Sequence, residues 1–253
     1  MSIFICTYLF ILGTILGSFY NVVGYRLPKG ESIVYPSSHC PNCNHKLSFL
    51  ELIPILSYIF QKGKCKKCKQ KISLFYPIFE ASTGILFVLA YLSYGLDLKL
   101  IIALTFISMI TIIVVSDYHY LIISDEVLIF FGIIILIEII CINGFNAGIY
   151  ALLNGLASFV TMFLIKKFGD FIFKKESMGG GDIKLMFIFG MVLSYPIAVL
   201  SIFVGSLFGL PVSLVILWKK HDHVIPFGPF LSLGALVLLL MHVDVNTLIN
   251  LYK

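Results

Sequence analysis

Apolar residues fill long runs in this chain, and polar residues collect between them. Eight runs stand out: Ile3–Val23, Ile78–Tyr94, Leu100–Ser116, Val127–Ile142, Ala147–Ile165, Ile183–Leu193, Ile197–Trp218 and Phe230–Met241. A helix needs about 20 mostly apolar residues to cross the hydrocarbon core of a bilayer. The pattern therefore predicts an all-α polytopic membrane protein with about eight transmembrane helices. The sixth and eighth runs are short and are expected to extend into the glycine-bearing segments that flank them; seven spans follow if either lies in the interface. The first run has no basic stretch before it and no Ala-x-Ala-like site after it, so it reads as a membrane helix and not as a secretory signal. Residues 24–77 break the pattern, being polar, basic and rich in turn formers. They read as a small cytoplasmic insert, too short for a large core of its own, between a first helix (1–23) and a membrane core (78–253). No internal repeat at a fixed period stands out.

Composition agrees with this division. Of 253 residues 59% are hydrophobic and 12% charged, with a mean hydropathy of +1.02. Soluble domains run about 45–50% apolar and about 25% charged, so the solvent for most of this chain is the bilayer. The net charge of +5 is clustered between the apolar runs, which points to an anionic leaflet and not to nucleic acid. Arg26, Lys29, Lys46, Lys62, Lys64, Lys66, Lys67, Lys69 and Lys71 follow the first run. Lys166, Lys167, Lys174, Lys175 and Lys184 lie around the fifth-to-sixth connection, and Lys219 and Lys220 precede the eighth. With eight alternating spans these basic segments share one side, and only Lys99 and Lys253 fall on the other. The basic side is expected to be cytoplasmic, with both termini outside.

Cys40-Pro41-Asn42-Cys43 and Cys65-Lys66-Lys67-Cys68 form two C-x-x-C pairs. A two-residue gap lets two thiolates take adjacent corners of one metal, and the second pair closes a tetrahedral four-sulfur site of the structural zinc kind. A reducing cytoplasm disfavours disulfides, and a short insert gains most from such a staple. The competing readings are a redox pair and free thiols; His39 and His45 are alternative ligands. Cys6 and Cys141, alone in apolar runs, read as small buried hydrophobes.

Carboxylates within membrane helices are costly and usually functional. Asp117 closes the third run, and Asp182 opens the sixth after Gly179, Gly180 and Gly181. The topology puts both at one membrane face. Two adjacent carboxylates share a proton. One can then take a proton from water while the other polarises a scissile carbonyl. The three glycines permit unusual backbone angles and close approach of a peptide; their plain alternative is a flexible lead-in to an Asp-capped helix. Asp125 and Glu126 are rival carboxylates that read as caps of the fourth span. Glu80 reads as a supporting polar group, and Glu138 has no evident role. No Gly-x-Ser-x-Gly, His-Glu-x-x-His or phosphate loop occurs.

These residues line up into a known pattern. Gly17-Ser18-Phe19-Tyr20-Asn21-Val22 with Arg26-Leu27-Pro28 resembles the opening motif of the type IV prepilin peptidases, and the paired C-x-x-C insert follows in the same place. Ile72-Ser73 with Tyr76-Pro77 and Glu80 is similar to the entry to their second span. Asp117 and Gly179–Asp182 followed by Lys184 match their two catalytic aspartates. Ile225-Pro226-Phe227-Gly228-Pro229-Phe230-Leu231 with Gly234 resembles their last-helix motif. Two departures stand out: Phe75 where the family often has Arg, and Ser124 where it often has Pro before Asp125. The resemblance implies an aspartic endopeptidase of the bacterial cytoplasmic membrane. It would cut a short basic leader from type IV prepilins or pseudopilins at the cytoplasmic face, after a glycine. Members with the cysteine insert usually also methylate the new N-terminus with S-adenosylmethionine, a substrate for which this sequence has no nucleotide-binding fingerprint. An ion-coupled transporter would want its carboxylates near the midplane. A membrane thiol oxidoreductase would want a C-x-x-C pair outside.

Overall fold

The computed structural model describes residues 2–219 and 226–243. Lys220, Ile225 and Lys253, invoked above, lie outside the described residues. Among the described residues the architecture is almost wholly helical. The helices are α1 (Ser2–Arg26), α2 (Leu56–Phe60), α3 (Phe75–Tyr94), α4 (Lys99–Tyr120), α5 (Asp125–Asn143), α6 (Phe145–Phe173), α7 (Gly180–Leu193), α8 (Tyr195–Lys219) and α9 (Gly228–Leu240).

Every expected span is met by a helix, and the helices overrun the apolar runs at most ends. Five segments are long and apolar enough to cross a membrane: Ser2–Lys29, Phe75–Tyr94, Lys99–Tyr120, Phe145–Phe173 and Tyr195–Val215. Length and composition thus support five crossings and leave the count of eight unconfirmed. At 1.5 Å per residue, α7 (14 residues) and α9 (13 residues) are about 20 Å long, short of a hydrocarbon core about 30 Å thick. Both begin inside their glycine-bearing motifs, as expected.

α4 is the hub. In its most apolar stretch 72% of residues are buried, against 22–28% in the other four crossing segments. It packs against α1, α3, α5 and α9. In lipid, close packing and not hydrophobic exclusion holds helices together, and small residues allow it. α1 meets α3 where a Cβ on Gly13 would lie 2.8 Å from Gly84 Cα. α6 meets α7 at Gly155 and Gly190, and α8 meets α9 at Gly205 and Gly234. Large apolar side chains such as Phe4, Ile133 and Phe171 point outward, as lipid-facing residues do. Glu138 gains an account: it accepts a hydrogen bond from Thr105 of α4 at 2.7 Å, joining α5 to the hub.

The bundle has a defined polarity. At one end Tyr94 of α3 donates to Leu239 O at the close of α9. At the other end Phe75, opening α3, stacks on Tyr118, closing α4, with ring centres 5.0 Å apart. The departure from the family pattern at Phe75 thus fills an aromatic cluster with Phe79, Tyr118 and His119. The insert enters α3 beside Tyr118, so insert, Asp117 and the start of α9 share one end.

Candidate active site and metal centre

Two buried carboxyl groups meet at that end. Asp117 is in the last turn of α4, one turn before the αL residue Leu121. Ser116 Oγ donates to Ile122 O and ties down the connection to α5. Asp182 is the third residue of α7, whose N-cap is Gly179. It is therefore not the capping residue of the plainer sequence reading, and no side chain caps this helix. The two aspartates are close enough to act on one another's charge. Asp117 Oδ2 and Asp182 Oδ1 are buried without a hydrogen-bond partner, an expensive state for a polar group.

The glycines around the pair do different jobs. A Cβ on Gly180 would meet open space, and one on Gly179 would lie 3.7 Å from Asp182 Oδ2. At Gly181 it would come within 2.7 Å of Ile123 Cβ. Crowding at Gly181 therefore falls on the α4–α5 connection and not on the carboxylates. Gly228, opening α9, is tighter: its Cβ would stand 2.6 Å from Asp117 Oδ2 and 3.4 Å from Ile123 Cδ1. Its backbone thus stands close against the Asp117 carboxyl group. Ile123 therefore fills the space between the two glycine motifs. Neither Ile123 nor Gly228 was given a role from sequence; Gly228 sat in a recognised motif, but only the fold brings it to Asp117.

The remaining site residues lie apart from the pair. Lys184 Nζ reaches both oxygens of Asp125 at 2.7 and 2.8 Å, an ion pair about half exposed on each partner. It bridges the starts of α7 and α5, so Asp125 is a partner of Lys184 and not the helix cap expected; the N-cap of α5 is Ser124. Glu80 is buried in α3, and its Oε2 accepts the Ile55 N–H at 2.8 Å. Its support is to the insert. Ile55 has φ +61° and ψ −54°, and Leu56 N–H reaches back to Pro54 O. This γ-turn is strained for a β-branched residue.

The four insert cysteines converge, their sulfurs all within 4.8 Å of one another. Cys40–Cys68 is 3.8 Å and Cys43–Cys65 3.9 Å. Metal–sulfur bonds of about 2.3 Å in a tetrahedron give sulfur–sulfur edges of about 3.8 Å, so the cage is the right size for one ion. The backbone N–H groups of Cys43 and Asn42 hold the Cys40 thiol below its usual range, and that of Gln70 brings Cys68 down to about 6. The His45 N–H favours the Cys43 thiolate, yet burial and the neighbouring thiols push Cys43 up to about 11. Four sulfurs this close could hold one metal ion. The histidines bond elsewhere, His39 to Ser37 O and His45 to Glu51.

The insert also holds a repeat that sequence inspection missed. Cys40 N–H bonds to His45 O and Cys65 N–H to Gln70 O; Asn44 and Lys69 both take positive φ; His39 pairs with Lys46 as Lys64 does with Lys71. Two copies of one metal-binding knuckle thus face each other. The signal was the identical spacing around each C-x-x-C, masked by unlike side chains.

These features define a multi-pass membrane protein with a carboxyl pair at one end of its bundle and a four-thiol centre in a connecting insert. Residues 11–94 match the bacterial peptidase A24 N-terminal domain, and residues 104–214 match the type IV leader peptidase family. The chain is 38% identical over 233 residues to a prepilin leader peptidase/N-methyltransferase of Bacillus subtilis, covering 90% of this chain and 91% of that one. Its counterpart in Neisseria gonorrhoeae is 31% identical over 256 residues, 90% of this chain and 87% of that one. One from Myxococcus xanthus is 31% identical over 210 residues, covering 83% and 62%. No solved structure matches the chain at a significant level. The chain belongs to the type IV leader peptidase family. Membership decides against the transporter and the thiol oxidoreductase.

Proposed function

We propose that this chain is a membrane aspartic endopeptidase that removes the leader from type IV prepilins or pseudopilins at the cytoplasmic face of a bacterial membrane, then N-methylates the new terminus. Asp117 and Asp182 are its catalytic pair. The observation that carries the reading is the pairing of these two buried carboxyl groups, each with one oxygen left without a hydrogen bond, from the end of α4 and the start of α7, in a member of this family. One carboxylate takes a proton from water as the water oxygen attacks the scissile carbonyl carbon; the other, protonated, gives its proton to the carbonyl oxygen. The tetrahedral intermediate then collapses, the C–N bond breaks, and the amine leaves with a proton from the pair. Gly228, with no side chain, leaves room for the Asp117 carboxyl group, and Ile123 keeps the two glycine motifs apart. S-adenosylmethionine supplies the methyl group as a substrate.

The test is direct. The purified protein in proteoliposomes, given a prepilin and S-adenosylmethionine, should yield a mature chain lighter by the leader and heavier by one methyl group. An intact prepilin after long incubation would overturn the reading; cleavage without methylation would overturn its second half.

The metal of the insert is zinc, held by Cys40, Cys43, Cys65 and Cys68, and structural because four cysteines leave no open position for water. Elemental analysis of reduced, freshly purified protein should give one zinc per chain, and Cys40→Ser or Cys65→Ser should lose it. Chelation should loosen the insert, read as faster proteolysis between residues 30 and 74, before leader cleavage falls. Prompt, reversible loss of cleavage with the insert still protease-resistant would overturn the structural role.

A further inference from the structure

The insert is tied to the side of α3 and not only joined to its first residue. α3 has 20 residues, about 30 Å, just the thickness of the hydrocarbon core. Glu80 lies five residues in from Phe75, about 7 Å along the helix. Its side chain leans back toward the start of the helix, and the Ile55 N–H meets it beside the first two turns of α3. α1 agrees: a Cβ on Gly17 would be 3.2 Å from Glu80 Cα, and Gly17 is nine residues before Arg26, about 13 Å from the helix end. The segment around Ile55 therefore lies beside the first two turns of α3, within reach of the headgroup–acyl boundary of a bilayer that α3 spans.

Its surface fits that depth. Phe49 and Phe60 are each 81% exposed, and Leu50 is 72% exposed. A groove of about 650 Å³ opens here, with Leu50, Leu56 and Phe60 among the apolar residues and Lys62, Lys66 and Lys69 among the cations that line it. From Gly24 to Pro77 the chain carries nine basic residues and two acidic ones, a balance of +7. A water-facing groove gains nothing from exposed phenylalanines, whereas apolar side chains below a ring of lysines match an anionic lipid. The same lysines repel the basic leader of a prepilin and the cationic S-adenosylmethionine.

We propose that this groove seats an anionic phospholipid of the surrounding membrane, its acyl chain on Leu50, Leu56 and Phe60 and its phosphate on Lys62, Lys66 and Lys69. The zinc insert is thereby held against the bilayer as well as to Glu80. The site does not depend on the cleavage reading, and its test uses no activity.

The reporter is Phe60→Trp in a Trp218→Phe background, reconstituted with bound metal in vesicles of acyl-brominated phosphatidylcholine or phosphatidylglycerol. Quenching of the introduced indole's fluorescence should be stronger in the phosphatidylglycerol vesicles, and aqueous acrylamide should have little access. Each basic residue near an anionic surface strengthens attraction about five-fold, so Lys62→Glu, Lys66→Glu or Lys69→Glu should each cut the preference by at least that factor while metal content stays constant. Three results would overturn the proposal: acrylamide access without lipid quenching, equal quenching in the two lipids, or a prepilin that displaces the brominated lipid and itself shields the indole. Lys67→Trp in the same background reports on an outer face of the insert and should remain open to acrylamide.

Discussion

Asp117→Asn and Asp182→Asn should each lower the rate of leader cleavage about 10⁴-fold, the upper range for removing a positioned acid or base. Asparagine keeps size and hydrogen-bonding capacity, so the bundle, the zinc content and the helix packing should survive. Because the two groups act as a unit, the double substitution should be little worse than either alone. That non-additivity is the sharpest part of the expectation. Two independent electrostatic contributors would multiply their losses; a pair that shares one proton cannot. Asp125→Asn is the control, since its exposed ion pair with Lys184 contributes at most about 1 kcal/mol, and cleavage should stay within about five-fold of the parent. The measurement is single-turnover cleavage of a detergent-solubilised prepilin. Substantial turnover by either Asp117→Asn or Asp182→Asn would remove the pair from the mechanism, and a dead Asp125→Asn would identify a different carboxylate.

Gly181→Val is expected to cost cleavage about 100-fold although no reacting group is lost, as a displacement near 1 Å at a catalytic site does. The cause is in the packing. A Cβ at residue 181 meets Ile123 at 2.7 Å, and Ile123 is held by a connection that Ser116 ties to α4. The strain must move the start of α7, and Asp182 is one residue on. If this is the mechanism, trimming the obstacle restores function: Gly181→Ala with Ile123→Ala should recover most of the activity that Gly181→Ala loses. The alternative is that Gly181 serves by offering an open backbone to the substrate. In that case removing the Ile123 side chain would rescue nothing, so the double variant decides between the two. Gly180, whose added Cβ meets open space, should tolerate alanine.

Much of the site could be read before any coordinates. The C-x-x-C pairs are local in sequence, and a two-residue gap fixes their geometry wherever the insert lies. Asp117 and Asp182 were legible because a carboxylate at the edge of an apolar run is rare, and rarity is visible without a fold. Glu138 was equally rare and had no role, and Glu80 could be read only as a supporting group without a partner, because their partners, Thr105 and the Ile55 N–H, lie 33 and 25 residues away. Ile123 was invisible for the opposite reason: an isoleucine in an apolar chain carries no signal, and only its position between Gly181 and Gly228 gives it a role.

The sequence by itself determined that the chain lives in a bilayer, where most of its helices begin and end to within a few residues (α6 runs eight residues past Ile165), and which side chains are candidates for chemistry. These are consequences of composition and of spacing along one segment, and the physics of a single helix in lipid settles them. The tertiary structure alone decided that Gly228 stands against Asp117, that Ile123 lies between Gly181 and Gly228, and that the insert is bonded to Glu80. Each of these depends on a distance between segments far apart in the chain, set by how small residues let helix backbones approach. No local pattern of apolar and polar positions encodes such a distance.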